Sequence, residues 1–126
     1  MKNILSLVLL FGLCLGASAE NRSVSVRTAK GETRVTFMSN RIVRVEHGRE
    51  LGATSRQSMV VTLLPQEDLK VSVKETTAKT VLASDVLTAT IDRKTGLVSF
   101  ASRKGNLVKE KSFDVEPRPS VTYALD

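Results

Sequence analysis

The stretch that decides the fold runs from Ala89 to Leu107 and reads ATIDRKTGLVSFASRKGNL. Its two apolar runs, 87–91 and 97–100, are joined by the loop Asp92-Arg93-Lys94-Thr95-Gly96. An Asp at the start of a loop can cap its own turn through the carboxylate, and a Gly at the end accepts a positive φ without a Cβ clash. A connection of this length and composition predicts a β-hairpin.

A second turn follows the hairpin. Apolar and polar residues alternate from Leu97 to Ser102 with the period of two that a pleated strand needs. The segment Arg103-Lys104-Gly105-Asn106 then predicts a turn before Leu107 and Val108. Three strands joined by two turns make an antiparallel meander.

The rest of the chain carries strand signals of the same kind, and no window after residue 19 has the 3.6-residue period of a helix. After Lys111, Pro117 and Pro119 leave room only for an edge strand or an extended connector. The fold class is therefore predicted as all-β, an antiparallel β-sandwich. The further predicted strands lie at 23–27, 33–38, 41–47, 59–64, 69–73, 80–83 and 86–91.

Residues 1–19 have the composition of a signal peptide. Lys2 supplies the positive end, Ile4 to Leu15 is the apolar run, and Ala17-Ser18-Ala19 is a small-residue cleavage site. The apolar run is shorter than the roughly 20 residues that a membrane span needs. Cys14 follows Leu13, where a lipoprotein signal needs a small residue, so a lipid anchor is disfavoured.

Residues 20–126 are thus predicted to form one exported domain, periplasmic or at the cell surface, with no membrane span. The chain's one cysteine lies inside the predicted signal, and export without disulfides fits a bacterial protein. The net charge of +6 comes from basic residues spread along the chain rather than gathered in one run, and one Tyr with no Trp leaves few platforms for stacking bases. Nucleic acid is therefore not an expected partner.

The residues that could carry chemistry are few. His47 is the sole histidine, which makes a poor zinc site, and there is no Gly-x-Ser-x-Gly, phosphate-binding or calcium-binding motif. Glu110, Asp114 and Glu116 cluster in a charged stretch and are interpreted as solvated charges. The sequence predicts no catalytic residue, no cofactor site and no metal site.

Carbohydrate binding is the functional class that the aromatic residues leave open, because sugar sites present aromatic faces beside polar groups. Phe37 and Phe100 lie within apolar alternation and are predicted to be core residues. Phe113 and Tyr123 fall in the segment interpreted as irregular, where exposure would let them contact a sugar.

Three segments, in their order and spacing, resemble one known family. They are the FMSNRIVRV segment from Phe37 to Val45, the SMVV segment from Ser58 to Val61, and the 87–107 meander with its Thr95-Gly96 pair. Together they resemble the N-terminal β-sandwich of glycoside hydrolase family 31, the α-glucosidases and α-xylosidases. The resemblance covers almost all of residues 20–126 and implies a galactose-mutarotase-like sandwich.

The resemblance implies an accessory role in carbohydrate metabolism. In that family both catalytic aspartates lie on a (β/α)₈ barrel, beyond the position that corresponds to Asp126. The implied function is an accessory sandwich of a secreted α-glycosidase, a glycoside hydrolase that acts on O-glycosyl bonds. Carbohydrate would then be contacted through the missing catalytic domain, and the chain alone would be inactive. The alternative is a free-standing secreted carbohydrate-binding or adhesion module.

The same resemblance implies that the sandwich is incomplete. Strands beyond Asp126 would normally cover inner apolar positions and pair the open edges of the sheets. Without them, we expect partly uncovered residues and possible self-association through an exposed sheet edge. The inner positions expected to be uncovered are Val60, Leu63, Leu87 and Phe100.

We predict cleavage between Ala19 and Glu20, because Ala17 and Ala19 fit the small-residue pockets of a signal peptidase. N-terminal sequencing of the exported product checks this prediction. A product that retains a lipid-modified Cys14 would contradict it.

Overall fold

The computed structural model describes residues 22–52, 69–116 and 118–125, and within these ranges every regular element is a β-strand. This agrees with the predicted all-β class. The strands are β1 (Ser23–Thr28), β2 (Gly31–Phe37), β3 (Val43–Gly48), β4 (Ser72–Glu75), β5 (Lys79–Ala83), β6 (Leu87–Asp92), β7 (Val98–Ser102), β8 (Gly105–Asp114) and β9 (Ser120–Leu125).

The strands form two antiparallel meanders. Strands β1-β2-β3 make the first sheet and β4 to β9, in sequence order, make the second. The meander predicted from the 89–107 stretch is confirmed as β6, β7 and the start of β8, with Ile91 opposite Val98 and Ala89 opposite Phe100. A bulge between Phe100 and Ala101 shifts the register of β7 against β8.

Three differences from the predicted boundaries bear on the fold, and the other described strands agree with the predicted ones to within two residues. The third strand begins at Val43 rather than Arg41, because the Ile42 carbonyl accepts from the Met38 N–H and Ser39 Oγ accepts from the Ile42 N–H, which holds this segment in a turn. The strand predicted at 69–73 is observed as Ser72–Glu75. The segment after Lys111 is not irregular, since β8 continues to Asp114, and β9 is the edge strand that the prolines were predicted to allow. The predicted strand 59–64 lies outside the described residues.

The core lies between the two sheets. Alternation along β2 points Val35 and Phe37 inward, and alternation along β6 does the same for Ala89 and Ile91; all four are buried. Phe37 is therefore a core residue, as predicted. Phe100 and Leu87 are partly buried against this core. The rest of the buried apolar cluster is Val26, Leu82 and Val98.

The loop between β6 and β7 is built as the sequence predicts. Asp92 Oδ1 accepts from the backbone N–H of Lys94 at 2.8 Å and of Thr95 at 3.0 Å. These hydrogen bonds, from Thr95 first and then Lys94, lower the pKa of Asp92. Gly96 has φ of +74°, and a Cβ there would lie 2.8 Å from Thr33 Oγ1 on the first sheet. The loop is therefore packed closely against the facing sheet.

Among the described residues, the second sheet has six strands and the first has three, and the inner face of the second sheet is partly exposed at β9. Val121, Tyr123 and Leu125 alternate along β9 and pair with Phe113, Glu110 and Val108 of β8. Phe113 and Glu110 are buried between the sheets, so the β9 residues share that inner face. Tyr123 is nevertheless 51% exposed and Leu125 86% exposed. We refer to Val121, Tyr123 and Leu125 as the β9 strip.

We predict that the β9 strip makes the isolated chain self-associate, and that Leu125→Lys shifts it toward the monomer. Burying a Leu side chain contributes about 1.5–3 kcal/mol, so its loss weakens association by roughly tenfold or more. Sedimentation velocity across a concentration series measures this. Thr122→Lys, on the opposite face of the same strand, is the matched control. A monomeric wild-type chain at high concentration would contradict the prediction.

We predict that Asp92→Ala destabilises the fold by about 1 kcal/mol through loss of the turn hydrogen bonds, whereas Asp92→Asn retains an acceptor and costs less. A lowered folded-state pKa means that the carboxylate stabilises the fold above about pH 4, the ordinary range of Asp, and that this contribution is lost as the pH falls through the folded-state value. Urea unfolding from pH 7 to pH 3 should therefore show a smaller decrease in the free energy of unfolding for Asp92→Asn than for the wild-type chain. Equal acid loss in both proteins would contradict this assignment.

Candidate functional site

A polar cluster joins the two sheets next to strand β9. It combines Thr33 of β2 and His47 of β3 with Glu110 and Phe113 of β8 and with backbone groups of Gly96 and Val98. We name these six residues the inter-sheet cluster. On the same strands, the neighbouring inward-facing positions carry apolar core residues.

The centre of the cluster is a contact between His47 and Glu110. The His47 Nε2 atom lies 3.0 Å from Oε1 and 3.2 Å from Oε2 of Glu110. The Glu110 side chain is fully buried and the His47 side chain is 7% exposed. A buried carboxylate is costly unless it is paired and hydrogen-bonded, and both conditions are met here.

Backbone and hydroxyl groups complete the hydrogen bonding of this pair. The Val98 N–H donates to Glu110 Oε2 at 2.9 Å. On the other side of the imidazole, Thr33 Oγ1 lies 2.9 Å from His47 Nδ1 and donates to the Gly96 carbonyl at 2.9 Å. Thr33 therefore connects the histidine of the first sheet to the β6–β7 loop of the second.

Phe113 closes the cluster on one side. Its ring stacks on the His47 imidazole with centroids 4.0 Å apart and 11° between the planes, and Lys30 Nζ lies 5.8 Å from its centroid. The prediction that Phe113 could be an exposed sugar-binding ring is wrong, because β8 continues through it and its side chain is 1% exposed. Tyr123, the other candidate, is half-exposed on the β9 strip.

The interpretation of Glu110 as a solvated charge is also wrong. The neighbouring Lys109 and Lys111 make the segment read as a charged run, but both are exposed while Glu110 points inward. The signal that could have identified it is Val108, two residues earlier on the same face of β8. Asp114 and Glu116 are exposed, as predicted.

A second ionic cluster lies on the outer face of the first sheet. Arg34 of β2 approaches Glu32 and Glu46 at 3.9 Å and donates to the carbonyls of Leu51 and Gly52. The Leu51 N–H donates to Glu32, which is the main cause that lowers the pKa of this buried carboxyl. These contacts fix the segment that follows β3 against the sheet, which is a structural role.

A retaining-glycosidase site needs two carboxylates about 5–5.5 Å apart. A cavity of about 270 Å³ beside the β6–β7 loop has Asp92 as its one acidic lining residue, and that carboxylate caps the turn. Glu110 is enclosed between the sheets. Within the described ranges, no group of three or more His, Cys, Asp or Glu residues is placed to hold a metal ion.

Tyr123 lies beside the inter-sheet cluster. It pairs with Glu110 across the β8–β9 ladder. Burial, and secondarily the charge of Glu110, raise the pKa of the Tyr123 phenol.

None of the described segments forms a helix long and apolar enough to cross a membrane.

Comparison with known proteins gives a structural match. No family model matches the sequence, and no curated protein matches it either. Among solved structures, a GH31 α-xylosidase from Xanthomonas citri superimposes with a TM-score of 0.62 at 24% identity. The match covers 81% of this chain and 12% of the α-xylosidase chain. The predicted resemblance is thereby confirmed at the level of fold: the chain has the β-sandwich fold of a segment of a GH31 α-xylosidase.

Proposed function

We propose that this β-sandwich is an accessory domain of a GH31-type α-glycosidase and supports the catalytic domain of that enzyme. The observation that carries the proposal is the fold match, which pairs most of this chain with about one-eighth of an α-xylosidase chain. The chain spans far less than the length of that enzyme. A sugar substrate would be bound and hydrolysed by the remainder of such an enzyme.

The β9 strip supports this role. Val121, Tyr123 and Leu125 lie on the inner face of the second sheet, where they continue the core beyond the edge of β3. Apolar area removed from water contributes roughly 25 cal/mol per Å². Further polypeptide from a larger enzyme would gain that contribution by covering the strip.

Three carboxylates among the described residues already have structural partners. Asp92 caps a turn, Glu32 receives a backbone N–H, and Glu110 is enclosed with His47. The chain on its own should therefore hydrolyse neither α-glucosides nor α-xylosides. We also propose that this enzyme is exported, on the basis of the signal peptide predicted at 1–19.

A free-standing carbohydrate-binding module is the second candidate, and one observation favours it. The Tyr123 ring is 51% exposed and could stack on a sugar. Phe113, the other ring that this function would use, is buried against His47. Binding of oligosaccharides that is lost on Tyr123→Ala would support this candidate over the accessory role.

A chimeric enzyme tests the accessory role. In the Xanthomonas citri α-xylosidase, the segment that matches this chain is replaced by residues 20–126. We expect the chimera to be soluble and to hydrolyse nitrophenyl α-xyloside, because the shared fold presents the same inner face to the rest of the enzyme. The deletion enzyme, with no replacement, should be insoluble or inactive. The measurement is activity per mole of soluble protein.

Paired variants show whether the β9 strip makes the contact. Leu125→Asp in the chimera should lower soluble activity by tenfold or more, since a charge would be buried in the interface. Thr122→Asp, on the other face of β9, should leave it within about twofold, as surface changes do. A chimera no better than the deletion enzyme would overturn the proposal, as would α-xyloside turnover by the isolated chain that disappears with Glu110→Gln or Asp92→Asn.

A further inference from the structure

The hydrogen bonds of the inter-sheet cluster determine how many protons it holds. The Gly96 carbonyl can only accept, so the single hydroxyl proton of Thr33 is used in the 2.9 Å bond to it. Thr33 Oγ1 must then accept from His47 at its 2.9 Å contact with Nδ1. The Nδ1 atom of His47 therefore carries a proton.

The other side of the imidazole requires a second proton. His47 Nε2 and Glu110 Oε1 are 3.0 Å apart, a distance that needs a hydrogen between them. That proton belongs either to an imidazolium that faces a carboxylate or to a neutral carboxyl that faces a neutral imidazole. Val98 N–H donates to Oε2 in both cases. Either arrangement leaves the pair with no net charge.

Burial favours two protons on the His47–Glu110 pair over the alternative of one proton. If the imidazole carried its only proton on Nε2, Glu110 would be a fully buried carboxylate with no cationic partner, and the Gly96 carbonyl would lose its donor. Among the described residues, His47 is the ion-pair partner that lies within 4 Å of Glu110. An unpaired buried charge costs far more than a neutral hydrogen-bonded pair.

The other titratable groups near the His47–Glu110 pair do not take over the role of this proton in balancing the charge of Glu110. Lys30 Nζ lies 5.8 Å from the centroid of the Phe113 ring, and its described contact is with that ring. Tyr123 of β9 adjoins Glu110 and is neutral through the physiological range. Asp92, in the loop that carries Gly96, directs its carboxylate to backbone N–H groups of its own turn. Lys109 lies on the opposite face of β8 and is exposed.

We propose that His47, Glu110 and Thr33 form a proton-dependent latch between the two sheets, so that folding above about pH 6.5 is coupled to the uptake of one proton. A histidine in an unfolded chain is mostly neutral above that pH, and an unfolded glutamate is ionised. The folded pair holds two protons where the unfolded pair holds one. Stability must then fall as the pH rises, because the folded state binds more protons.

The proposal predicts a definite pH profile. Between about pH 5 and pH 6 the pair holds two protons in both the folded and the unfolded state, so its contribution to the free energy of unfolding is constant. Above about pH 6.5 the unfolding equilibrium constant should increase by up to tenfold per pH unit, until the folded pair itself releases the proton. Urea unfolding of the chain from pH 5 to pH 9 measures this increase.

Glu110→Gln tests the mechanism, because the amide reproduces the neutral form of the pair. Its NH₂ group can donate to His47 Nε2 while its oxygen accepts from the Val98 N–H. The increase in the unfolding equilibrium constant above about pH 6.5 should disappear. Stability should instead decrease as the pH falls below about 6.5, because there only the unfolded histidine takes up a proton. Glu75→Gln, at an exposed position on β4, is the matched control and should keep the wild-type profile.

A measurement on the unmodified chain covers the case in which Glu110→Gln does not fold. Because His47 is the sole histidine, its ring nitrogens give one unambiguous set of ¹⁵N NMR signals. At pH 8 we expect a protonated Nδ1 and a proton shared between Nε2 and the carboxyl group. A folded chain at pH 8 with a neutral ring protonated on Nε2 alone would overturn the proposal, as would a flat stability profile above pH 6.5.

Discussion

The constraint on which the rest of the structure depends is the burial of one carboxylate between two sheets. Glu110 cannot leave water without a donor on each oxygen, and those donors come from β3 and β7. Apolar contacts between sheets are non-directional, whereas these hydrogen bonds are satisfied in one relative position of the sheets. The register of the first sheet against the second is therefore specified by His47, Thr33 and the Gly96 carbonyl.

The second organising feature is a difference in width. Three strands face six, so the core that begins around Val35 and Ile91 ends in side chains that nothing described in the chain covers. The β9 strip is apolar on the inner face, whereas the outward residues of the first sheet carry ion pairs such as Arg34 with Glu32. The uncovered area therefore has the character of core surface rather than of a solvated face.

Sequence reasoning recovered what is local and periodic. The Asp92–Gly96 loop and the β6–β7–β8 meander follow from turn chemistry and alternation, which act over a few residues. The inter-sheet cluster was missed because two of its hydrogen bonds join residues 63 apart in sequence and each residue looks ordinary alone. A glutamate between two lysines reads as solvated until the strand pairing shows that it shares a face with Val108. The same pairing moved Phe113 from a presumed irregular segment into the interior.

The two features meet at Tyr123, which belongs to the β9 strip and adjoins Glu110. Any polypeptide that covers the strip removes water from this side of the inter-sheet cluster. A lower local dielectric strengthens the His47–Glu110 hydrogen bond and raises the cost of leaving that carboxylate unpaired. Covering the strip therefore favours the protonated pair, and by linkage the protonated pair favours covering the strip. Covering of the β9 strip and retention of the proton thus reinforce each other.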